Sequence, residues 1–391
     1  MKRWRKITAL ILSLLALSCL LFIAITAVSN QNLPQRSQVV ERLDDEQKSL
    51  LAEARHLRQS LGDAVWPGWG QADIPSIAYN EQYAFLTGYP QPPDGWKKVP
   101  GDVQRGGPWE EVPGDRFDGD AYYRQYLPDP NLTPQGFAVK VGERWSSSMQ
   151  TMQWMQVSLV STIRTDLPSF LRPVFPYRVF VGQLLGGGDH YITLLNHEVF
   201  HAYQGMAAPD KLAQAESANG LYADQYPWQD PELQADWKEE LVLLAEVLES
   251  GDQVEAISAA RRFLELRLAR RENAGLPPAL IRFEQQREWV EGLARYAELE
   301  IWRQAYSGAY APTPELEAMA EFDGYQGFNR RWSREIDQFA LMADDEGDGR
   351  FYYSGMAQAY LLDRIMPGWK LRAFEEDIWL EDLLHEGVQG Q

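Results

Sequence analysis

An apolar stretch at residues 7–28 places the strongest constraint on how this chain can fold. Its only polar members are Thr8, Ser13, Ser18, Cys19 and Thr26. At about 1.5 Å per helical residue the stretch is about 33 Å long, which matches the roughly 30 Å thickness of a bilayer's hydrocarbon core. The sequence therefore predicts a transmembrane helix, and residues 1–29 form a unit distinct from the rest of the chain.

The charges around this stretch predict its orientation. Four basic residues precede it: Lys2, Arg3, Arg5 and Lys6. No acidic residue occurs before Glu41, so the positive-inside rule places the basic end in the cytoplasm and everything after Ser29 outside. Signal peptides have shorter apolar regions of roughly 7–15 residues, although residues 27–29 could serve as a cleavage site. We interpret the segment as an uncleaved signal anchor in a bacterial cell envelope, with a cleaved signal as the alternative.

Charge and cysteine content narrow the possible functions. The 391 residues include 37 Lys and Arg against 56 Asp and Glu, for a net charge of −19. An acidic surface repels phosphate backbones, which argues against nucleic-acid binding. The single cysteine, Cys19, excludes an intramolecular disulfide and a cysteine-based zinc site. Any metal must therefore be bound by histidine and carboxylate side chains, and three of the five histidines fall within twelve residues.

Hydrophobic periodicity divides the exported part into segments. Residues 30–64 are predicted to form an amphipathic helix, from about 33 to 61, which serves as a stalk or packing helix. Residues 66 to about 134 are rich in Pro, Gly and aromatic residues, which is typical of loops and short strands. Residues 137–152 and 178–184 are rich in β-forming residues and predict strands. Later helices are predicted at 231–249, 254–272, 278–306, 314–342 and 353–365.

These elements together predict an α+β fold in one domain, residues 65–391. Its first half, 65–206, is expected to contain a small mixed β-sheet and one prominent helix, and its second half, 207–391, is largely helical. The helix is predicted to begin at Asp189, a good N-cap after three glycines, and to reach about Gln204.

This prominent helix carries the motif H-E-x-x-H, in which the histidines are His197 and His201 and the glutamate is Glu198. Four residues are just over one helical turn, so both imidazoles leave the same face and can bind one ion. Glu198 lies beside them, where it can act on a water molecule held by the metal. His190 lacks such a partner and is interpreted as part of the first helical turn.

A hydrolytic zinc site needs a third protein ligand besides its water. No histidine follows His201 until His385, so the third ligand is predicted to be a carboxylate. Two candidates stand out: Glu216, which is close in sequence, and Glu291, which lies in a second strongly predicted helix. The residues alone leave both open.

The combination of H-E-x-x-H with a later helix that reads E-G-x-A-x-Y, at residues 291–296, resembles the gluzincin metallopeptidases, especially their aminopeptidase branch. The resemblance covers these two helices. It implies a zincin-like fold with one Zn²⁺ bound by His197, His201 and Glu291, and with Glu198 as general base. It also implies that the glycine of the second motif, Gly292, allows the two helices to pack closely.

The same resemblance implies a side chain that donates a hydrogen bond to the developing oxyanion. Tyr352 and Tyr353 follow Glu291 by about sixty residues, a spacing similar to that of the aminopeptidases, and are the candidates. His385 is an alternative.

The sequence also departs from the family pattern. The 90 residues from His201 to Glu291 exceed the gap in those aminopeptidases, so a helical insertion at 212–274 is expected. Arg295 stands where thermolysin-like enzymes have an aspartate that orients a zinc-bound histidine. A Gly-x-Met-Glu-Asn segment, which holds a free substrate amine in the aminopeptidases, does not occur. An endopeptidase is therefore expected rather than an exopeptidase.

The sequence thus predicts a membrane-anchored, extracytoplasmic zinc peptidase that acts on a peptide or protein substrate. Peptides commonly bind such sites by pairing with an exposed strand, and residues 137–152 are predicted to supply that edge strand. A tethered zinc-containing binding or assembly protein without catalysis is one alternative. A metallohydrolase that acts on glycans or other non-peptide bonds is another, suggested by the aromatic-rich segment, and a catalytically silent enzyme is a third.

Overall fold

The structure is a computed structural model that describes residues 2–390 except Asp102, Pro130, Asn131, Gly251, Ala320, Glu321 and Asp323. For residues 2, 3, 5–10, 16, 19 and 250 the description is limited to the backbone.

The strands lie in the first half of the chain. They are β1 (Ser76–Tyr79), β2 (Tyr83–Thr87), β3 (Trp96–Lys98), β4 (Gln104–Arg105), β5 (Glu110–Glu111), β6 (Tyr123–Tyr126), β7 (Phe137–Val141) and β8 (Arg144–Gln150). Within the described residues they form one sheet in the order β4-β3-β7-β8-β1-β2-β6-β5. The pair β1–β8 is parallel and the other pairs are antiparallel, so the sheet is mixed, as predicted.

Helices precede, follow and cover this sheet. They are α1 (Lys2–Gln31), α2 (Asp45–Val65), α3 (Met152–Asp166), α4 (Tyr177–Leu185), α5 (Gly188–Ala207), α6 (Pro209–Tyr222), α7 (Pro231–Ser250), α8 (Gln253–Asn273), α9 (Pro278–Arg287), α10 (Leu293–Ser307), α11 (Pro314–Glu317), α12 (Phe328–Met342), α13 (Gly349–Ile365), α14 (Trp369–Arg372) and α15 (Leu380–Gln389). A π-helical turn, Glu288–Gly292, connects α9 to α10 without a break. The α+β class is therefore confirmed.

The helix α5, which carries the H-E-x-x-H motif, lies at the centre of the molecule. It packs against β7 and β8 of the sheet and against α2 and α10. A single hydrophobic cluster includes residues of α2, the sheet, α5 and the helices of the second half. The sheet half and the helical half therefore share one core around α5.

The predicted helix at 33–61 begins later than expected, at Asp45. The side chain of Asp44 accepts a hydrogen bond from the backbone N–H of Gln47 and caps the first turn. The apolar residues of α2, including Leu50 and Leu57, are buried in the main core. Of the two roles considered for this segment, the structure shows the packing role.

The predicted strand at 178–184 is wrong, because this segment forms the helix α4. Val181 and its neighbours have high β propensity, but Tyr177, Val181 and Leu185 are spaced four apart and are all buried on one face. They pack with Val160 of α3 in a separate small cluster. Tertiary packing of this stripe outweighs the local preference for a strand.

Two further boundaries differ from the prediction. The segment at 137–152 forms a hairpin, β7–β8, whose turn contains Gly142 at φ +58°. The prediction that 137–152 supplies an edge strand is wrong for the segment as a whole, because β7 lies between β3 and β8. Only its first residues, Phe137 and Ala138, lie beyond the part that β3 covers. The helix expected at 314–342 is interrupted, since Gly324 and Tyr325 both adopt positive φ.

The helix α1 contains the predicted membrane segment. Its part Ile11–Gln31 is long and apolar enough to cross a membrane by length and composition, criteria that a signal sequence also meets.

Candidate metal centre

The two motif histidines and Glu291 meet in the interior of the molecule. His197 and His201 are 5% and 1% exposed, and their Nε2 atoms lie 3.1 Å apart. Glu291 Oε2 lies 3.6 Å from Nε2 of His197 and 3.3 Å from Nε2 of His201. These three residues form a group whose possible ligand atoms all lie within 4.8 Å of one another.

A local change in helix geometry positions Glu291. It lies in the π-helical turn between α9 and α10, and such turns are frequent at functional sites because they shift a side chain relative to the α-helical register. The neighbouring Gly292 lets α13 approach, since a Cβ there would overlap the backbone of Gly355. A Cβ at Gly355 would in turn overlap the carbonyl of Glu288. The close packing expected of Gly292 therefore occurs against α13 rather than against the helix of the H-E-x-x-H motif.

The acceptor atoms that face the two Nδ1 atoms indicate which ring nitrogens carry protons. The side-chain amide of Gln204 donates to the carbonyls of Trp289 (2.8 Å) and Val290 (3.2 Å), so its oxygen faces Nδ1 of His201 at 2.9 Å. Nδ1 of His197 lies 3.3 Å from Oε2 of Glu298. Both partners are acceptors, so both Nδ1 atoms carry a hydrogen and, in neutral rings, both Nε2 atoms are acceptors.

The three possible ligand atoms fit a divalent metal ion. Two Nε2 lone pairs and a carboxylate oxygen face one another, and Oε2 of Glu291 has no hydrogen-bond donor among the described residues. Three acceptors at such distances repel one another unless a cation lies between them. Tetrahedral zinc with ligand bonds of about 2.0–2.1 Å separates its ligand atoms by ~3.3 Å, close to the three distances found here.

Charges around the group favour a cation. Burial alone would raise the pKa of Glu291, but His201 and Arg287, which donates to Oε1 at 2.6 Å, hold it well below its usual range. Burial would lower the pKa of His197, but the adjacent carboxylates of Glu291, Glu298 and Glu198 raise it to about 10. The carboxylates therefore create a negative potential at this point, which stabilises either a proton or a metal ion.

Glu198 lies beside the two histidines, as the motif predicts. Its Oε2 is buried without a hydrogen-bond partner among the described residues. A Cβ at Gly136, just before β7, would lie only 3.2 Å from its Oε1, so a glycine there leaves room for the carboxylate. Burial raises the pKa of Glu198, and the nearby His197 and His201 oppose that shift. The group is thus a carboxylate with a raised proton affinity and no structural bond to satisfy.

The two tyrosine candidates have different positions. The ring of Tyr352 stacks on His197, with centroids 5.8 Å apart and planes 9° from parallel. Burial and the adjacent charge of Glu291 raise the pKa of Tyr352 well above its usual value, so the hydroxyl keeps its proton. The hydroxyl of Tyr353 instead donates to Oε2 of Glu335 at 2.8 Å. Of the pair, the structure brings only Tyr352 to the centre.

The other candidates lie away from the ligand group. Oε1 of Glu216 accepts a hydrogen bond of 2.7 Å from Arg287, whose other terminal nitrogen bonds to Glu291 and to Asp348. Glu216 is therefore part of an ionic cluster behind Glu291. His190 faces the carbonyl of Leu185 with Nδ1 at 2.7 Å. His385 is exposed on α15.

Sequence reasoning missed the residues that orient the ligands. Glu298 follows Glu291 by seven residues, two helical turns on one face, and Gln204 follows His201 by three, so the spacing offered a signal for both. Arg295 donates two hydrogen bonds of 2.7 and 2.6 Å to Glu298. Arg295 thus holds in place a carboxylate whose Oε2 lies 3.3 Å from Nδ1 of His197.

Comparison with known proteins adds no relative to this picture. No family model, curated protein or solved structure matches this chain.

Proposed function

We propose that this protein is a membrane-anchored zinc-dependent hydrolase, and specifically a peptidase with a preference for internal peptide bonds. The observation that carries the proposal is the meeting of three acceptor atoms, from His197, His201 and Glu291, beside Glu198, whose buried Oε2 has no hydrogen-bond partner among the described residues. A purely structural zinc site would have four closed protein ligands. Among the described residues the group contains three ligands, which leaves one position for water or substrate.

Zinc bound by these residues would act as a Lewis acid that polarises a carbonyl and lowers the pKa of water from about 15.7 toward 7. Glu198 is the residue that accepts the proton from the attacking water and later transfers it to the leaving amine. Its raised pKa suits both steps, because a base whose pKa lies closer to neutrality can both take up and release a proton.

Tyr352 is proposed as the donor to the oxyanion that forms on the substrate carbonyl. Its hydroxyl is protonated, lies next to Glu291 and belongs to a ring stacked on His197. A positioned donor of this kind contributes a few kcal/mol to transition-state stabilisation, roughly 100-fold in rate.

Glu298 and Gln204 are proposed as positioning residues. The amide oxygen of Gln204 lies 2.9 Å from Nδ1 of His201, and Oε2 of Glu298 lies 3.3 Å from Nδ1 of His197. Both contacts favour the tautomer that leaves Nε2 free for a metal. Arg295 holds Glu298 in place and compensates its buried charge.

The substrate is proposed to be an extended peptide that lies along the beginning of β7. Within the described residues β3 pairs with β7 at Val139 and Lys140, so Phe137 and Ala138 lie beyond the part of β7 that β3 covers. The ring of Phe137 is 4.5 Å from that of His201, and Gly136 adjoins Glu198. A main chain paired with this short stretch would place its carbonyl beside the metal ligands.

The catalytic body is proposed to lie outside the cytoplasm, anchored to the bilayer by α1. The basic residues that precede the apolar run favour a cytoplasmic position for that end.

The substitution Glu198→Gln tests this function. It removes the base but no metal ligand, so we expect bound zinc to stay at the wild-type level while hydrolysis of casein and of quenched-fluorescence peptides falls by about 10²–10⁴-fold. Glu232→Gln, an exposed acid on α7, is the matched control and should leave both quantities unchanged. Undiminished turnover by the Glu198 variant contradicts the assignment. Hydrolysis of polysaccharides but not of peptides would move the proposal to a non-peptide substrate.

A further inference from the structure

The segment that joins α3 to α4 contacts the last turn of α1. The side-chain amide of Asn30 donates to the carbonyls of Pro173 (3.0 Å) and Phe175 (2.9 Å). Arg178, in the first turn of α4, donates to the carbonyl of Asn32 at 2.9 Å. The α3–α4 hairpin, residues 152–185, is thereby attached to the end of the helix that is long and apolar enough to span a membrane.

One residue of the apolar run, Thr26, is covered by other atoms of the protein. Thr26 is only 6% exposed, whereas its neighbour Ile25 is 60% exposed. Thr26 precedes Gln31, the last residue of α1, by five residues, which is about 7.5 Å along the helix. The polar headgroup region on each side of a bilayer is roughly 5–8 Å thick. Protein atoms that cover Thr26 would therefore lie within or beneath the headgroups once α1 spans the bilayer.

The segment that connects α3 to α4 and the outer face of α4 expose apolar side chains, whereas the exposed residues of α3 are polar. The exposed large hydrophobic residues of this hairpin are Phe170, Leu171, Val179, Phe180 and Leu184, and Phe170 is 75% exposed. The opposite face of α4 is apolar too, since Val181 and Leu185 pack against α3. A helix with apolar side chains on both faces is typical of a buried or membrane-associated environment.

The charges of the hairpin suit an anionic lipid surface. Residues 152–185 contain three basic residues, Arg164, Arg172 and Arg178, and one acidic residue, Asp166. The chain as a whole has a net charge of −19, so this small basic region differs in sign from the rest. Arginines beside exposed aromatic and aliphatic side chains are typical of segments that lie in the plane of the membrane interface.

We propose that the α3–α4 hairpin is a second membrane contact, which lies in the interface of the bilayer beside α1. Phe170, Leu171 and Phe180 enter the boundary between headgroups and acyl chains, and Arg172 and Arg178 lie at the level of the lipid phosphates. The hairpin would hold the catalytic body at a defined height and orientation above the membrane. This inference rests on the proposed anchor role of α1 but not on the metal centre or on catalysis.

Fluorescence quenching in vesicles tests the contact. The full chain with Cys19→Ser receives one cysteine by Phe170→Cys, is labelled with NBD and is reconstituted in vesicles of phosphatidylcholine and phosphatidylglycerol at 70:30. Leu14→Cys, in the apolar run, is the control for lipid, and Val254→Cys, an exposed position at the start of α8, is the control for water. Leu184→Cys serves as a second reporter on the hairpin if the Phe170 variant does not fold.

We expect the label at Phe170 to be quenched by doxyl-labelled lipid as the label at Leu14 is, and to be several-fold less accessible to iodide than the label at Val254. A Phe170 label that behaves like the Val254 label, with Leu14 still in lipid, overturns the hairpin contact and leaves the anchor intact. A Leu14 label in water overturns both the anchor and the contact. Neither result affects the proposed hydrolytic centre, whose test is independent.

Discussion

At the residue scale, the candidate metal centre is defined by three acceptor atoms that face one another without a hydrogen-bond donor between them. Gln204 and Glu298 face the Nδ1 atoms of the two histidines, and this leaves both Nε2 atoms as acceptors only 3.1 Å apart. Oε2 of Glu291 joins them without a donor of its own. The geometry thus requires a positive charge at one point, which is the physical basis for a metal site.

The identity of the third ligand gives the first prediction. Glu291→Ala removes one of the three converging atoms, so the zinc content of the purified protein should fall well below one ion per chain. Glu216→Ala, which removes only a partner of Arg287, should retain zinc near the wild-type level. Elemental analysis of both variants decides the matter, and the reverse pattern would make Glu216 the ligand.

The residue that orients His197 gives a second prediction. Glu298→Gln removes the charge opposite Nδ1, so zinc affinity should drop by about 10–100-fold, as is typical when a partner of a ligating histidine is lost. Competition with a fluorescent chelator measures this change. Glu300→Gln, a carboxylate on the same helix that pairs with Arg303, is the control. Equal affinities of the two variants would argue against a positioning role for Glu298.

Adjacent tyrosines offer a third, internally controlled prediction. Tyr352→Phe should lower kcat on peptide substrates by about 100-fold and leave the zinc content unchanged, since only a donor to the oxyanion is removed. Tyr353→Phe should leave kcat within a few-fold of wild type, because that hydroxyl bonds to Glu335. A larger loss of kcat at Tyr353 than at Tyr352 contradicts the assignment.

At the element scale, the crossing of α13 with the π-helical turn positions Glu291. Gly292 and Gly355 lie in contact there, and a side chain at either would overlap the backbone of the other element. The π-helical turn therefore shifts the side chain of Glu291 out of the α-helical register, and the close packing at the two glycines keeps it in that position.

This crossing leads to a fourth prediction. Gly355→Ala introduces a Cβ that overlaps the carbonyl of Glu288, so the free energy of unfolding should fall by about 1–3 kcal/mol, and zinc affinity should fall with it because the turn must shift. Gly220→Ala in α6 meets no atom within 4 Å and should be neutral or slightly stabilising. Urea unfolding of both variants measures the difference. A Gly355 variant as stable as the Gly220 variant would show that the crossing can relax.

At the scale of the whole molecule, a buried ionic network joins the helices around the centre. Arg267, Arg270 and Arg271 of α8 pair with Glu240 of α7, Glu284 of α9, Glu288 of the π-helical turn and Glu381 of α15. Each ion has several partners, which compensates the cost of removing it from water. Through Glu288, the network connects the π-helical turn that carries Glu291 to helices that are distant in sequence.

Acid sensitivity is the fifth prediction. Burial would raise the pKa of Glu381, but Arg271 and Arg267 lower it from 4.5 to about 2. The stabilisation from this group is therefore complete above pH 4.5 and is lost as the pH falls through about 2. Glu381→Gln should lower the free energy of unfolding at pH 6 and should lessen its decline between pH 5 and pH 2.5. Urea unfolding across this range tests the effect, and an unchanged pH dependence in the variant would contradict it.

Much of the framework followed from short-range patterns. The helices α7 and α8 have bounds close to those expected, since a proline begins α7 and the side chain of Asp252 caps the first turn of α8. The helix α13 ends as expected but begins four residues earlier, at Gly349. The strand predicted at 178–184 was wrong because the residues that favour a strand locally, such as Val179 and Phe180, belong to a helix whose stripe packs on α3. The break before α12 depends on the positive φ of Tyr325, whose hydroxyl bonds to Glu53 of α2, a contact from far along the chain.

The sequence by itself determined the apolar helix and the shared face of His197 and His201, with Glu198 beside them, because a helical repeat depends only on neighbours within one or two turns. The residues alone left both Glu216 and Glu291 as candidates for the third metal ligand. Only the tertiary structure placed Glu291 beside the imidazoles and Glu216 behind Arg287, and assigned Glu298 and Gln204 to the ring nitrogens. Those relations join helices up to a hundred residues apart, and packing in three dimensions, rather than local periodicity, decides which of their side chains meet.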